Sequence, residues 1–277
     1  MNILYYGNCQ LFAVKTLLNL QNFVEKNIEC YGTDLDKFEF INIIQQQDII
    51  ITQPINDNYR EKEYLSTNFV IKNSKENCKI IIFDSCYFNF YYFDLTYKWF
   101  NNDILHEPSD YHYNEMIKCY NNNSSIEYYI ENYINNIELK TKDELEQYAN
   151  ESLEELNKRH NENVNKYKIK DNILFISTYD FIKNNYKDKL LFYSMNHPTK
   201  YVIQYICEEI IKILNLDNTI LYDINILDNP KSIIYKCVQK AVNFNINDCE
   251  PLVVGKTNVQ DIVQLYYDTY KKIDFKG

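Results

Sequence analysis

NILYYGNCQLFAVKTLL, residues 2–18, joins a strand-like run directly to an amphipathic one. Its opening is an apolar, aromatic run too short for a core helix and closed by a glycine, which reads as a buried strand. Its remainder places Leu11, Val14, Leu17 and Leu18 on one helical face. Apolar runs at 48–52 and 79–83 repeat the strand signal, each followed by polar or turn-forming residues. Strand, helix and strand in that order imply right-handed crossovers and a parallel sheet.

Residues 105–168 turn polar and helical. Thr141 followed by Glu144 fits a capping box. Leu145, Tyr148, Ser152 or Leu153, and Leu156 then mark the buried stripe of a long charged helix. Strands at 172–176 and 190–194 and helices at 179–185 and 201–214 resume the alternation, and helices near 232–242 and 259–270 close the chain. With no internal repeat and no linker, the chain reads as a single α/β domain over 1–277. It carries a helical insertion at 105–168 and a helical extension at 216–277.

Composition narrows the function. At 277 residues and 45% hydrophobic, the chain can bury a large core, and 4 glycines with 5 prolines exclude a linker-rich or collagen-like polymer. The formal charge of −10 is dispersed, which argues against nucleic acid, whose binding rests on neutralised phosphates. An anionic ligand would therefore need a local positive pocket. Twenty-seven tyrosines make any one of them uninformative, whereas Arg60 and Arg159 are the two arginines of the chain. The 8 cysteines form no CxxC pair, and the 4 histidines are scattered without ligand spacing, so neither a zinc ribbon nor a catalytic metal is expected. Apolar runs fall short of a membrane span and Met1 leads directly into a strand, so a cytoplasmic protein with reduced thiols is expected.

Chemistry concentrates at two turns. Gly7-Asn8-Cys9-Gln10 joins the first strand to a helix at the carboxyl edge of the sheet, where α/β proteins bind ligands. There the helix N-terminus would stabilise a Cys9 thiolate, and its amides could hold an oxyanion or phosphate. The strand at 190–194 leads into Asn196-His197-Pro198, with Pro198 suited to the first helical position. That places His197 at or beside the N-cap of a helix on the same sheet edge, as a neutral imidazole able to accept a proton. The strand ending at Thr52 brings Gln53 near the first turn as an oxyanion donor. Tyr59-Arg60 supplies a guanidinium for phosphate or carboxylate, and His112 with Tyr113 opens the insertion as a substrate contact. His106 and His160 read as surface residues.

Gly7-Asn8-Cys9-Gln10, Gln53-Pro54, Tyr59-Arg60 and Asn196-His197-Pro198 together resemble the WcbI-type capsular polysaccharide biosynthesis family, distant relatives of SGNH/GDSL hydrolases. Tyr111-His112, Ser152-Leu153 with Arg159, residues 178–184, 229–233 and Tyr266-Tyr267 fall in the expected order, so the similarity spans nearly the whole chain. The resemblance implies a three-layer α/β/α fold of SGNH or flavodoxin type. It also implies coenzyme A binding and acetyl transfer from acetyl-CoA to a hydroxyl or amino group of a sugar, free or nucleotide-linked. On it, Cys9 and His197 are catalytic. Gly7, Asn8, Gln10, Gln53, Asn196, His112 and Tyr113 face the substrate or oxyanion, and Tyr59, Arg60 and Arg159 face the cofactor. Partners would be the sugar, a second copy of the chain, or fused glycan-biosynthesis domains. The hydrolases carry an Asp three residues before the histidine where this chain has Ser194, which leaves a Cys-His dyad or a lone histidine base. Two other readings use the same residues: a glycan esterase or deacetylase with water as acceptor, and a non-catalytic nucleotide- or glycan-binding module. Cys9 has two roles open to it, forming an acyl-enzyme or shaping the oxyanion site.

Overall fold

The computed structural model describes residues 1–18, 20, 23–31, 35–216, 221–246, 249–273 and 275. The chain read as one domain divides into two compact units. Met1–Cys86, Glu154–Lys183 and Lys200–Ile226 make the first; Tyr87–Leu153, Asn184–Thr199 and Leu227–Gly277 make the second.

The first unit is built on a parallel sheet of β1 (Asn2–Gly7), β2 (Val24–Glu29), β3 (Ile49–Thr52), β4 (Lys79–Phe83) and the strand Ile173–Ile176. Their spatial order is β2, β1, β3, β4 and Ile173–Ile176. All four residues of β3 are buried, as a strand covered on both faces requires. Each such isoleucine contributes about 1.5–3 kcal/mol on leaving water. Leu4, Tyr6, Ile50, Ile80 and Ile82 pack on one face against Phe40, Ile43 and Ile44 of α2 (Lys37–Gln45) and Val70 and Ile71 of α3 (Thr67–Asn73). On the other face α1 (Cys9–Leu18) packs against β1 and against helix Lys200–Leu214. The result is the three-layer α/β/α arrangement.

Capping chemistry sets where the helices begin. Asp36 accepts hydrogen bonds from the amides of Phe38 and Glu39 at the start of α2, and Ser66 accepts from Phe69 at the start of α3. The capping box of helix Lys142–Tyr167 is present in both directions: Thr141 N donates to Glu144 Oε2 at 2.8 Å, and Glu144 N to Thr141 Oγ1 at 3.2 Å. Strand β2 carries no strand signal in its sequence because it is an edge strand, VEKNIE, with Val24 and Lys26 exposed and no apolar run to mark it. The helix expected near 232–242 shortens to Lys236–Gln239.

The second unit has an aromatic core. Phe88, Phe90, Tyr91, Tyr113, Tyr129, Phe192, Tyr266 and Tyr270 are all fully buried. Their phenols find partners inside: Tyr91 Oη donates to the Tyr186 carbonyl at 2.7 Å and Tyr266 Oη to the Tyr111 carbonyl at 2.7 Å. Tyr235 Oη donates to Asp94 at 2.6 Å, and burial pushes the Asp94 carboxyl up to about 7. A tyrosine-rich composition thus fills a core without orphaned hydroxyls on these rings. No helix among the described residues is long and apolar enough to cross a membrane.

Candidate functional site

In the first unit the ends of β1, β3 and β4 are laced together by side-chain amides. Asn8 caps α1, its Oδ1 accepting from Gln10 N at 2.9 Å. The Asn8 amide donates to Gln53 Oε1 at 3.1 Å. Gln10 pairs with the Cys86 backbone twice, Nε2 to the carbonyl at 2.9 Å and Oε1 from the amide at 2.9 Å. Gln53 Nε2 donates to Gln10 Oε1 at 3.2 Å and to Ser85 Oγ at 3.2 Å. A Cβ on residue 7 would sit 2.9 Å from Gln53 Oε1, so glycine is needed there for close approach.

This lacing corrects the expectation for two residues. Gln10 and Gln53 are only 2% and 1% exposed, and both hydrogens of the Gln53 amide are committed. Both brace the turn through these internal hydrogen bonds. The donors left at the turn are the Cys9 amide and the Asn8 side-chain amide, whose nitrogen makes no hydrogen bond among the described residues.

Cys9 is half-buried as the first residue of α1. The amides of Cys9 and Gln10 favour its thiolate, but burial outweighs them and Glu29 adds repulsion, so the pKa is raised. A resting thiolate, expected from the helix N-terminus alone, is thereby corrected: the group is a thiol at neutral pH. Alkylation of Cys9 by iodoacetamide, followed by peptide mass spectrometry because Cys249 is also half-buried, is expected to be slow at pH 7. It should still be accelerating above pH about 8.5, the value of an ordinary thiol. A rate that levels off below pH 7 would contradict this.

The residues expected to face the cofactor each hold a partner within the protein. Tyr59 leans its ring on the sheet core and its hydroxyl engages the Cys30 sulfur. Arg60 is exposed, in the left-handed region at φ 52°, with its guanidinium on the Tyr31 carbonyl. Arg159 is exposed and paired with Glu155 at 2.7 Å.

His160 is not a bare surface residue. Its Nδ1 lies 2.8 Å from Asp84 Oδ1, its side chain is 17% exposed, and the buried Asp84 also accepts from the Thr178 amide at 3.1 Å. That hydrogen bond raises the His160 pKa above the ordinary imidazole value. Asp84 directly follows β4 at the same carboxyl edge as Cys9, the signal that could have found it. His160 had none, being 76 residues away.

In the second unit His197 is not a helix cap. Phe192–Ser194 and His197–Pro198 pair antiparallel as a small hairpin outside the main sheet, and the next helix starts at Lys200. Thr199 N donates to the Leu191 carbonyl at 2.8 Å, so the chain closes the hairpin before turning helical. The neutral imidazole arises from a different cause: burial lowers the His197 pKa against the opposing pull of Asp110 and a backbone hydrogen bond at Leu227. Tyr111 stands edge-on to the imidazole at 5.6 Å. Asn196 joins the same cluster, accepting from Tyr111 Oη and donating to Tyr97 Oη at 2.9 Å. His197 Nδ1 is buried and has no hydrogen-bond partner among the described residues.

His112 and Tyr113 are core residues, contrary to the expected substrate contact. His112 is 0% exposed, with Nδ1 2.9 Å from Tyr270 Oη and Nε2 3.0 Å from the Leu105 carbonyl. Tyr113 Oη accepts from the Ile233 amide at 2.7 Å. His106 is exposed and paired with Asp110 at 2.7 Å.

Residues 2–219 match the family model described as polysaccharide biosynthesis enzyme WcbI. A solved structure of WcbI is described as that of a novel polysaccharide biosynthesis enzyme, the native protein without a disulfide bond between CoA and a cysteine. It aligns with a TM-score of 0.82 at 18% identity, over 98% of this chain and 90% of that one, which is likeness of fold. No curated protein matches the chain.

Proposed function

Because the chain belongs to the WcbI family of polysaccharide biosynthesis enzymes, we propose that it transfers an acetyl group from acetyl-CoA to a hydroxyl or amino group of a sugar. The sugar is free or nucleotide-linked. The observation that carries the reading is the first turn of α1: a half-buried cysteine and two donors, the Cys9 amide and the Asn8 side-chain amide, at the carboxyl edge of a parallel sheet. The description of the WcbI neighbour, which names CoA together with a cysteine, supports the choice of donor.

In this mechanism His197, held neutral by burial, takes the proton of the acceptor as its oxygen or nitrogen attacks the thioester carbonyl. The Cys9 amide and the Asn8 side chain donate to the oxyanion. The carbon–sulfur bond to coenzyme A then breaks, and the departing thiolate takes the proton from His197. Burial keeps Cys9 as a thiol, which favours direct transfer over an acyl-enzyme, with Cys9 shaping the wall beside the thioester. Arg60, exposed and cationic, supplies a contact for a phosphate of the donor.

Calorimetry with coenzyme A is expected to show micromolar binding; affinity weaker than about 1 mM overturns the reading. Mass spectrometry after incubation with acetyl-CoA alone should find Cys9 unmodified, and a stable acetyl group on it would replace direct transfer by a two-step route. Rapid turnover of aryl acetates without coenzyme A would point to an esterase.

A further inference from the structure

A cavity of about 490 Å³ opens within the first unit, beyond the carboxyl ends of β3 and β4 and against the long helix at Glu155, Arg159, Glu162 and Asn163. Its size falls in the range of small-molecule sites, about 300–1,000 Å³. We propose that this cavity holds the acceptor, an uncharged, hydroxyl-rich sugar ring; the assignment rests on the acyl-transfer reading for what the bound sugar is used for.

The lining excludes the alternatives by its chemistry. Of the three carboxylates on its walls, Glu155 is paired with the lining's one arginine, Arg159, at 2.7 Å and Asp84 with His160 at 2.8 Å, which leaves Glu162 as the uncompensated charge. A phosphate or nucleotide diphosphate would therefore meet like charge without a free cation to offset it. With carboxylates, a serine hydroxyl and amides on its walls and only Pro54 and Leu156 apolar, the cavity also suits no acyl chain.

The polar groups are placed to be met by hydroxyls. Ser85 Oγ accepts from Gln53 Nε2, which leaves its own hydrogen to donate. The side chains of Asn56, Glu162 and Asn163 make no hydrogen bond among the described residues, so carboxylate and amides offer both acceptors and donors. Asp84, 5% exposed, is held rigid by His160 and by the Thr178 amide. It is a positioning residue, fixing one wall as hydrogen-bonded supports do in binding sites.

The test uses the full chain and separates sugar binding from acyl transfer. Saturation-transfer NMR with glucose, galactose, mannose and N-acetylglucosamine, without coenzyme A, is expected to detect at least one ring in fast exchange. Glu162→Gln and Asn163→Ala are each expected to weaken that sugar about 3–10-fold, the loss of one neutral or charge-assisted hydrogen bond. Both should leave coenzyme A affinity by calorimetry unchanged. Absence of all four sugars, sugar binding indifferent to both variants, or weakened coenzyme A binding in place of weakened sugar binding overturns the assignment. Sugar binding of the expected pattern in a protein that takes no coenzyme A leaves the cavity assignment standing and removes the acyl-transfer reading instead.

Discussion

Replacing His197 with alanine is expected to lower acyl transfer by about 10²–10⁴-fold, the usual worth of a positioned general base. The physical basis is that burial depresses the imidazole's pKa, so the base is unprotonated throughout the neutral range. The sign follows: kcat/KM should be flat at neutral pH and fall only on acidification, with a midpoint below the ordinary histidine value of about 6.5. In the alanine variant that acid limb should vanish, while coenzyme A affinity stays within about threefold, a difference under 1 kcal/mol. Measurement of released coenzyme A by chromatography avoids interference from the protein's own thiols. An alanine variant with the parent's rate and the parent's pH profile would remove His197 from the mechanism.

Gln10→Leu is expected to destabilise the first unit by about 3–5 kcal/mol although the shape is nearly kept. Leucine would strand the Cys86 amide and carbonyl, each now bonded at 2.9 Å, and one hydrogen of Gln53. Each buried group left without a partner costs about 1–3 kcal/mol, and partial access of water lowers the sum. Urea unfolding followed by far-ultraviolet circular dichroism would report it as an earlier transition at unchanged slope. A loss below about 1 kcal/mol would mean that the glutamine lacing is dispensable, and Gln10 would return to being a candidate ligand contact.

Elements encoded in local residue patterns are the ones legible in the sequence. Apolar runs at β1, β3 and β4 and the 3.6-residue stripe of α1 are properties of short segments, and they appear as elements of the sheet and its helices. The Thr141–Glu144 box closes within four residues and forms as written. Strand β2 escaped because its stability comes from pairing with β1 along six residues and not from its own hydrophobicity. His197 was legible as an unusual residue but not as part of a hairpin, since Pro198 fits a strand at a sheet edge as readily as a first helical turn.

A parallel α/β sheet with Cys9 at the mouth of a strand-to-helix turn, and Asn196-His197-Pro198 as a second distinctive motif, follow from residue pattern alone. Periodicity, run length and glycine placement are all encoded within a turn or two of chain. The long-range packing assigns the polar groups that brace the fold. It committed Gln10 and Gln53 to Cys86 and Ser85, buried His112 against Tyr270, and gave His160 the carboxylate of Asp84. The reason is that a buried polar group takes its partner, its protonation and its exposure from residues far off in the chain, and no local pattern records them.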